Sequence, residues 1–121
     1  MDSFSLQKTP KGYTFVLRSG NGQTIAVSES YRTEAACRSG VRSVCANADA
    51  PLEDRTAGEP QLPNPKFQLY QDKRGLYRFR LKARNGRIIA VSQAYRSKAA
   101  CLEGIESVRA NAKTLIQEDS V

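Results

Sequence analysis

Histidine and tryptophan are absent from this chain of 121 residues, methionine occurs once, and cysteine occurs three times. Without histidine the chain lacks the commonest neutral metal ligand and the side chain that most often moves a proton near neutral pH. That excludes Cys-His and Ser-His-Asp catalysis and the usual zinc sites. Cys37, Cys45 and Cys101 are an odd number without CxxC spacing, so they frame no disulfide scaffold and point to a reducing cytoplasm. No run approaches the roughly 18 to 20 consecutive apolar residues of a membrane span. The N-terminus also lacks the basic region and apolar run of a secretion signal. The expectation is a soluble, cytoplasmic, non-enzymatic protein with no cofactor, no metal and no catalytic residue.

What the chain does contain is a duplication. Residues 13–48 align without a gap on residues 77–112 at a constant offset of 64, with 20 identities in 36 positions. Such internal periodicity marks one supersecondary unit used twice. Upstream, residues 4–12 match 67–75 at an offset of 63, so the second copy carries one extra residue near Leu76, beside Gly75. That is a change of turn length. The reading is a first repeat over residues 1–48, a linker over 49–66 and a second repeat over 67–121. At this size the two repeats share one compact core.

Within each copy, short alternating segments predict half-buried strands: Phe15 and Leu17 against Thr14, Val16 and Arg18, then Ile25 and Val27 against Thr24, Ala26 and Ser28. Asn21-Gly22 and Asn85-Gly86 signal hairpins. A three-residue loop, Arg84-Asn85-Gly86, pairs Leu81 with Ile89 and Phe79 with Val91 and keeps the apolar set on one side. Thr33 and Ser97 then cap helices. Their apolar stripes are Cys37, Val41, Val44, Ala48 and Cys101, Ile105, Val108, Ala112, with Leu115 and Ile116 prolonging the second. Gly40 and Gly104 recur inside these helices, which predicts close backbone approach to the sheet. Tyr31 and Tyr95 read as aromatic plugs at the strand-to-helix corner, and Cys37 and Cys101 as core side chains. Cys45, whose counterpart is Arg109, reads as the more reactive thiol. The linker holds Pro51, Pro60, Pro63 and Pro65 with Gly58 and no apolar periodicity; it reads as semi-extended.

The string SQAYRSKAACLEGIESVRAN (92–111), its first-copy form SESYRTEAACRSGVRSVCAN (28–47), and the segments FQLY (67–70) and YRFRLKARNG (77–86) resemble the signature of the YegP-like family of short bacterial domains, in its tandem-repeat form. The resemblance covers nearly all of the chain outside the linker and tail. It implies an α+β fold: two tandem β-β-β-α repeats forming one antiparallel sheet, with both helices on one face and the C-terminal helices swapped between repeats. It implies no established activity, substrate or catalytic residue.

Charge separates the copies. The formal net charge is +7; residues 67–112 carry ten basic and three acidic groups, residues 1–48 six and three. Alternation sets Arg78, Arg80 and Lys82 opposite Tyr77, Phe79 and Leu81, on the side away from the helices. With Tyr70 on the neighbouring strand and Arg84 and Arg87 at the loop, this row suits a phosphate backbone, Tyr70 being placed to stack a base. The same pattern describes an antiparallel sheet with one solvated face. Two functional readings follow. In the first, a binding module contacts nucleic acid, another polyanion or an acidic protein through Arg78, Arg80, Lys82, Arg84, Arg87 and Tyr70. In the second, a structural or protein-interaction module uses Val16, Ala26, Ile88 and Ala90 on the open face. Either way the chain is expected to be a monomer whose repeats form a pseudo-dimer.

Overall fold

The computed structural model describes the backbone of residues 3–18 and 22–119 and the side chains of residues 4–18 and 22–111. Strands β1 (Ser3–Thr9), β2 (Gly12–Arg18) and β3 (Thr24–Val27) form a meander that leads into helix α1 (Glu34–Asn47). Strand β4 (Leu52–Asp54) and a single 3-10 turn (Arg55–Ala57) follow. The second repeat is β5 (Lys66–Gln71), β6 (Tyr77–Lys82), β7 (Ile88–Ser92) and α2 (Lys98–Asp119). Both helices start where a side chain takes an otherwise unpaired backbone donor. The Ala36 N–H donates to Thr33 Oγ1 at 3.0 Å and the Ala100 N–H to Ser97 Oγ at 3.1 Å. The longer second helix was legible in the sequence, although the side chains of Ala112, Leu115 and Ile116 lie outside the described residues, as does Asn21.

All seven strands make one sheet in the order β1-β2-β3-β7-β6-β5-β4. The two meanders join edge to edge through β3 and β7, with Ala26 opposite Ser92 and Val27 opposite Val91. One face buries a single core that includes Phe15, Leu17, Val44, Phe79, Leu81 and Val108. The fold corrects three expectations. First, the sheet is mixed, because β4 lies parallel to β5. The linker is therefore ordered at Leu52–Asp54, where Leu52 packs on the core and Glu53 reaches partners on β5. Second, the helices are not simply exchanged. α1 lies on β1 and β2 of its own repeat and reaches β7, while α2 lies on β6 and reaches β3. Gly40 and Gly104 explain this seating, since a Cβ on either would stand 3.0 Å from a ring carbon of Phe15 or Phe79 in the same repeat.

Third, the strand register differs. The three-residue loop is as read: the Ala83 N–H donates to Arg87 O and the Gly86 N–H to Ala83 O, both at 2.9 Å, with Gly86 at φ +84°. Beyond Lys82 and Ile88, however, a bulge inserts Ile89, so Leu81 faces Ala90 and Arg80 faces Val91. The first repeat repeats the irregularity at Leu17 and Arg18, with Ile25 as the extra residue. One inserted residue turns every later side chain to the other face. Ala26 and Ala90 are consequently buried in the core, and Val27 is 37% exposed.

Candidate nucleic-acid interface

The face without helices carries the basic row. Antiparallel pairing of β5 and β6 sets Tyr70 opposite Arg78, Gln68 opposite Arg80 and Lys66 opposite Lys82. Phe67, Leu69, Phe79 and Leu81 point the other way into the core. Reading across the sheet, Val16, Val27, Val91, Arg80, Gln68 and Glu53 form one row. Its first half is apolar and its second half is hydrogen-bonded. Arg80 Nε donates to Gln68 Oε1 at 2.8 Å, and Gln68 Nε2 donates to Glu53 Oε2 at 2.6 Å. The Arg80 guanidinium also lies over the Tyr70 ring, 4.7 Å from its centroid, a favourable cation–π arrangement.

The row ends in an ion pair beneath the linker. Glu53 Oε1 accepts from Lys66 Nζ at 2.8 Å and from the Leu62 N–H at 2.6 Å, and Lys66 Nζ also donates to Leu62 O at 2.6 Å. Glu53 is fully buried and Lys66 nearly so. Burial alone pushes the Glu53 carboxyl up, but the bonds from Lys66, Leu62 and Gln68 outweigh it and hold the group at about 2. This cluster was missed in the sequence because Glu53 sat in a proline-rich segment without periodicity. The only available signal was Gln68, already expected on this face.

The six expected contact residues are not equivalent. Arg78 Nε donates to Asp72 Oδ2 at 3.0 Å, and this bond, foremost among its contacts, keeps the Asp72 carboxyl below its ordinary range. Lys82 is half-buried on the same face beside Ile88, and Arg84 is exposed at the hairpin tip. Neither side chain has a hydrogen bond or ion pair to another described residue. Tyr70 holds Arg80 against its ring, so that face of the ring is taken. Arg87 is placed on the helix side, bonded to Glu29 at 2.6 Å, because its partner across the loop, Ala83, belongs to the core. The expected apolar patch changes as well: Ile88 stays on the open face, Val16 lies on that side but is buried, and Val27 and Val91 replace Ala26 and Ala90.

Among the described residues there is no group of three or more His, Cys, Asp or Glu that could hold a metal ion, and no helix long and apolar enough to cross a membrane. Tyr31 and Tyr95 stack on Phe15 and Phe79 with ring centroids 6.3 and 6.4 Å apart, as corner plugs do. Cys37 and Cys101 are fully buried.

The class defined by these features is an α+β module of two repeats around one mixed seven-stranded sheet, with one sheet face left uncovered by helices. Residues 11–54 and 72–118 each match the family described as a domain of unknown function, DUF1508, and the chain belongs to that family. It is 34% identical over 118 residues to the UPF0339 protein YegP of Shigella flexneri, covering 97% of this chain and 96% of that protein. A UPF0339 protein of Treponema denticola is 66% identical over 47 residues, 39% of this chain but 81% of that protein, so that relative is about one repeat long. The solution structure of yegP from Escherichia coli, a protein of unknown function, superposes with a TM-score of 0.73 at 31% identity, covering 92% of this chain and 85% of that one. A UPF0339 protein of Shewanella oneidensis gives the same TM-score at 32% identity, covering 93% and 85%.

Proposed function

We propose that this protein is a non-enzymatic binding module whose helix-free sheet face holds an anionic polymer, nucleic acid foremost, through Arg80, Lys82, Arg84 and Arg78. The observation that carries this reading is the setting of Arg80. Its guanidinium is fixed by the Gln68 amide and the Tyr70 ring, and no carboxylate of a described residue pairs with it. A cation positioned by neutral groups keeps its charge for a ligand and has little rotamer freedom left to lose. Alternate residues on β6 lie roughly 7 Å apart, so Arg78, Arg80 and Lys82 offer a regular line of charge to an extended backbone. With one face of Tyr70 occupied, the binding is to phosphates more than to bases, and it is insensitive to sequence.

The test is fluorescence anisotropy of labelled single-stranded DNA and RNA across a salt series. Binding should weaken steeply with salt, and Arg80→Ala/Lys82→Ala should lower affinity and flatten the slope by about 0.7 for each phosphate that is no longer neutralised. Absence of binding at low salt, or a double variant that binds like the parent, would refute the proposal. A second reading is favoured by the exposed Val27 beside the half-buried Val91 and Ile88. These residues suit an acidic protein partner with an apolar centre, and then Val27→Asp would abolish capture while leaving nucleic-acid binding absent. Three cysteines present as thiols fit a cytoplasmic setting. The single continuous core fits a monomer in which the repeats act as a pseudo-dimer.

A further inference from the structure

On the helix side, the repeat relation produces two grooves, each between the helix of one repeat and the strand-2 to strand-3 hairpin of the other. The groove between α1 and the β6–β7 hairpin has a volume of about 620 Å3 and includes Tyr31, Arg32, Ser43, Asn85 and Arg87 in its lining. The groove between α2 and the β2–β3 hairpin has about 320 Å3 and includes Gln23, Gln93, Tyr95, Glu103 and Ser107. The offset of 64 relates their linings residue by residue. Tyr31, Gly40 and Ser43 correspond to Tyr95, Gly104 and Ser107, while Arg87 corresponds to Gln23 and Ser39 to Glu103. Floors are shared, and the rims differ: the first groove has Arg87, paired with Glu29, where the second has Gln23 and Gln93, and Ser39 where the second has Glu103.

We propose that the α1 groove is a binding site for a small organic anion, a carboxylate or phosphate on a short apolar body, and that the α2 groove is not. The larger groove lies within the range of small-molecule sites, roughly 300 to 1,000 Å3. Two guanidinium groups, Arg32 and Arg87, reach its lining, and no carboxylate does. Arg32 has no hydrogen bond or ion pair to another described residue. Arg87 is paired at the mouth with Glu29, but their side chains are 61% and 39% exposed. Such a pair contributes little in water and exchanges readily for an incoming anion. The Tyr31 hydroxyl, which bonds no described residue, is held against Gly40, where a Cβ would stand 2.4 Å from it. Glycine thus keeps a hydroxyl donor at the floor, with Ala36, Ala83 and Ile89 supplying apolar wall. In the second groove Glu103 places a carboxylate where the first has Ser39, which repels the same ligand.

The second groove also supplies the control substitutions, since the fold already accommodates Gln at the place of Arg87 and Glu at that of Ser39. Amide chemical shifts of the full chain are followed by NMR while sodium benzoate, phenyl phosphate or neutral benzyl alcohol is added at constant ionic strength. Saturable shifts are expected at Tyr31, Gly40 and Asn85 with one or both anions, which separates a carboxylate from a phosphate preference, and none at Gly104 or Ser107. Arg87→Gln should weaken binding about tenfold, the effect of removing one charge-assisted hydrogen bond, and Ser39→Glu should weaken it to a similar extent by setting a like charge beside the anion. Gln23→Arg/Glu103→Ser should make Gly104 respond. Arg80→Ala/Lys82→Ala should change nothing, which keeps this site distinct from the sheet face. Failure of both anions to saturate, equal response in the two grooves, insensitivity to Ser39→Glu, or equal binding of benzyl alcohol would each overturn the proposal.

Discussion

Replacing Glu53 by glutamine removes one charge from the most buried polar cluster described in the molecule. The carboxylate accepts from Lys66 Nζ, Gln68 Nε2 and the Leu62 N–H at 2.6 to 2.8 Å. In Glu53→Gln the one remaining oxygen can still accept from Lys66 and Leu62, but an NH2 then faces the Gln68 amide donor, and the Lys66 ammonium, 3% exposed, loses the carboxylate charge that compensates it. Breaking a buried pair by altering one partner costs about 3 to 5 kcal/mol. The half-exposed Arg55 guanidinium also lies 3.6 Å from Glu53 Oε2 and brings the cluster close to water, so the lower end, about 3 kcal/mol, applies. At roughly 2.1 cal/mol/K per residue the unfolding entropy of a chain this size is about 0.25 kcal/mol/K, and the Tm should fall by about 12 °C. Acid supplies the check on cause. The folded pKa of Glu53, about 2, lies below the ordinary 4.5. Its contribution is thus complete above pH 4.5 and is lost as pH falls toward about 2. Asp54 and Asp72 are also held low, by Lys98 and Thr56 against the opposing effect of burial for Asp54 and chiefly by Arg78 for Asp72, but they titrate in both proteins. The Tm gap between parent and Glu53→Gln, followed by circular dichroism, should therefore narrow below pH 4.5 and nearly close at about pH 2.5. A variant within about 0.5 kcal/mol of the parent at pH 7, or a gap that persists at low pH, would refute the reasoning.

The mid-helix glycines give a test of opposite sign to helix propensity. Gly40→Ala gains about 1 kcal/mol of propensity, but its Cβ would lie 2.4 Å from the Tyr31 hydroxyl and 3.0 Å from the Phe15 ring. Overpacking should prevail and leave a net loss of about 1 to 2 kcal/mol by urea denaturation, partly recovered in Gly40→Ala/Tyr31→Leu; a more stable Gly40→Ala would contradict the seating. Thiol labelling with a chromogenic disulfide should modify Cys45, half-buried, well before Cys37 and Cys101. The latter two are fully buried, and burial raises both thiols, Cys101 to about 11. Labelling of Cys101 in the folded protein as fast as Cys45 would show that the core opens.

Local signals carried most of the fold. The caps at Thr33 and Ser97, the helix stripes as far as Ala48 and Val108, and the Asn85-Gly86 loop each act within a few residues of themselves, and each is where it was read. What escaped were choices made by distant partners. Ile88-Ile89-Ala90-Val91 is apolar throughout, so period-2 alternation fits two registers equally. The bulge that chooses between them buries Ile89 with Ala90 and turns Val91 outward, beside Arg80. Strand β4 has three residues and no pattern of its own; its partners on β5, Lys66 and Gln68, hold Glu53 in place.

The basic row was legible for the same reason that Arg87 was misplaced. Along β6 strict alternation fixes the side of Arg78, Arg80 and Lys82, because the extra residue of the bulge between Leu81 and Lys82, Ile89, lies on β7. Arg87 lies past a three-residue loop, where the face is set by the partner across it, and Ala83 faces the core. The duplication then separates two kinds of constraint. Residues common to both copies, such as Phe15 and Phe79, Gly40 and Gly104, or Tyr31 and Tyr95, touch one another inside the fold. Differences fall on the open strand, where Thr14, Val16 and Arg18 stand for Arg78, Arg80 and Lys82, and on the groove rims, where Gln23 and Glu103 stand for Arg87 and Ser39. A scaffold that needed these positions for packing would have kept them alike. They diverge on two separate surfaces, with the positive side falling to β6 and its hairpin each time, and that shared asymmetry is what the two proposed binding surfaces have in common.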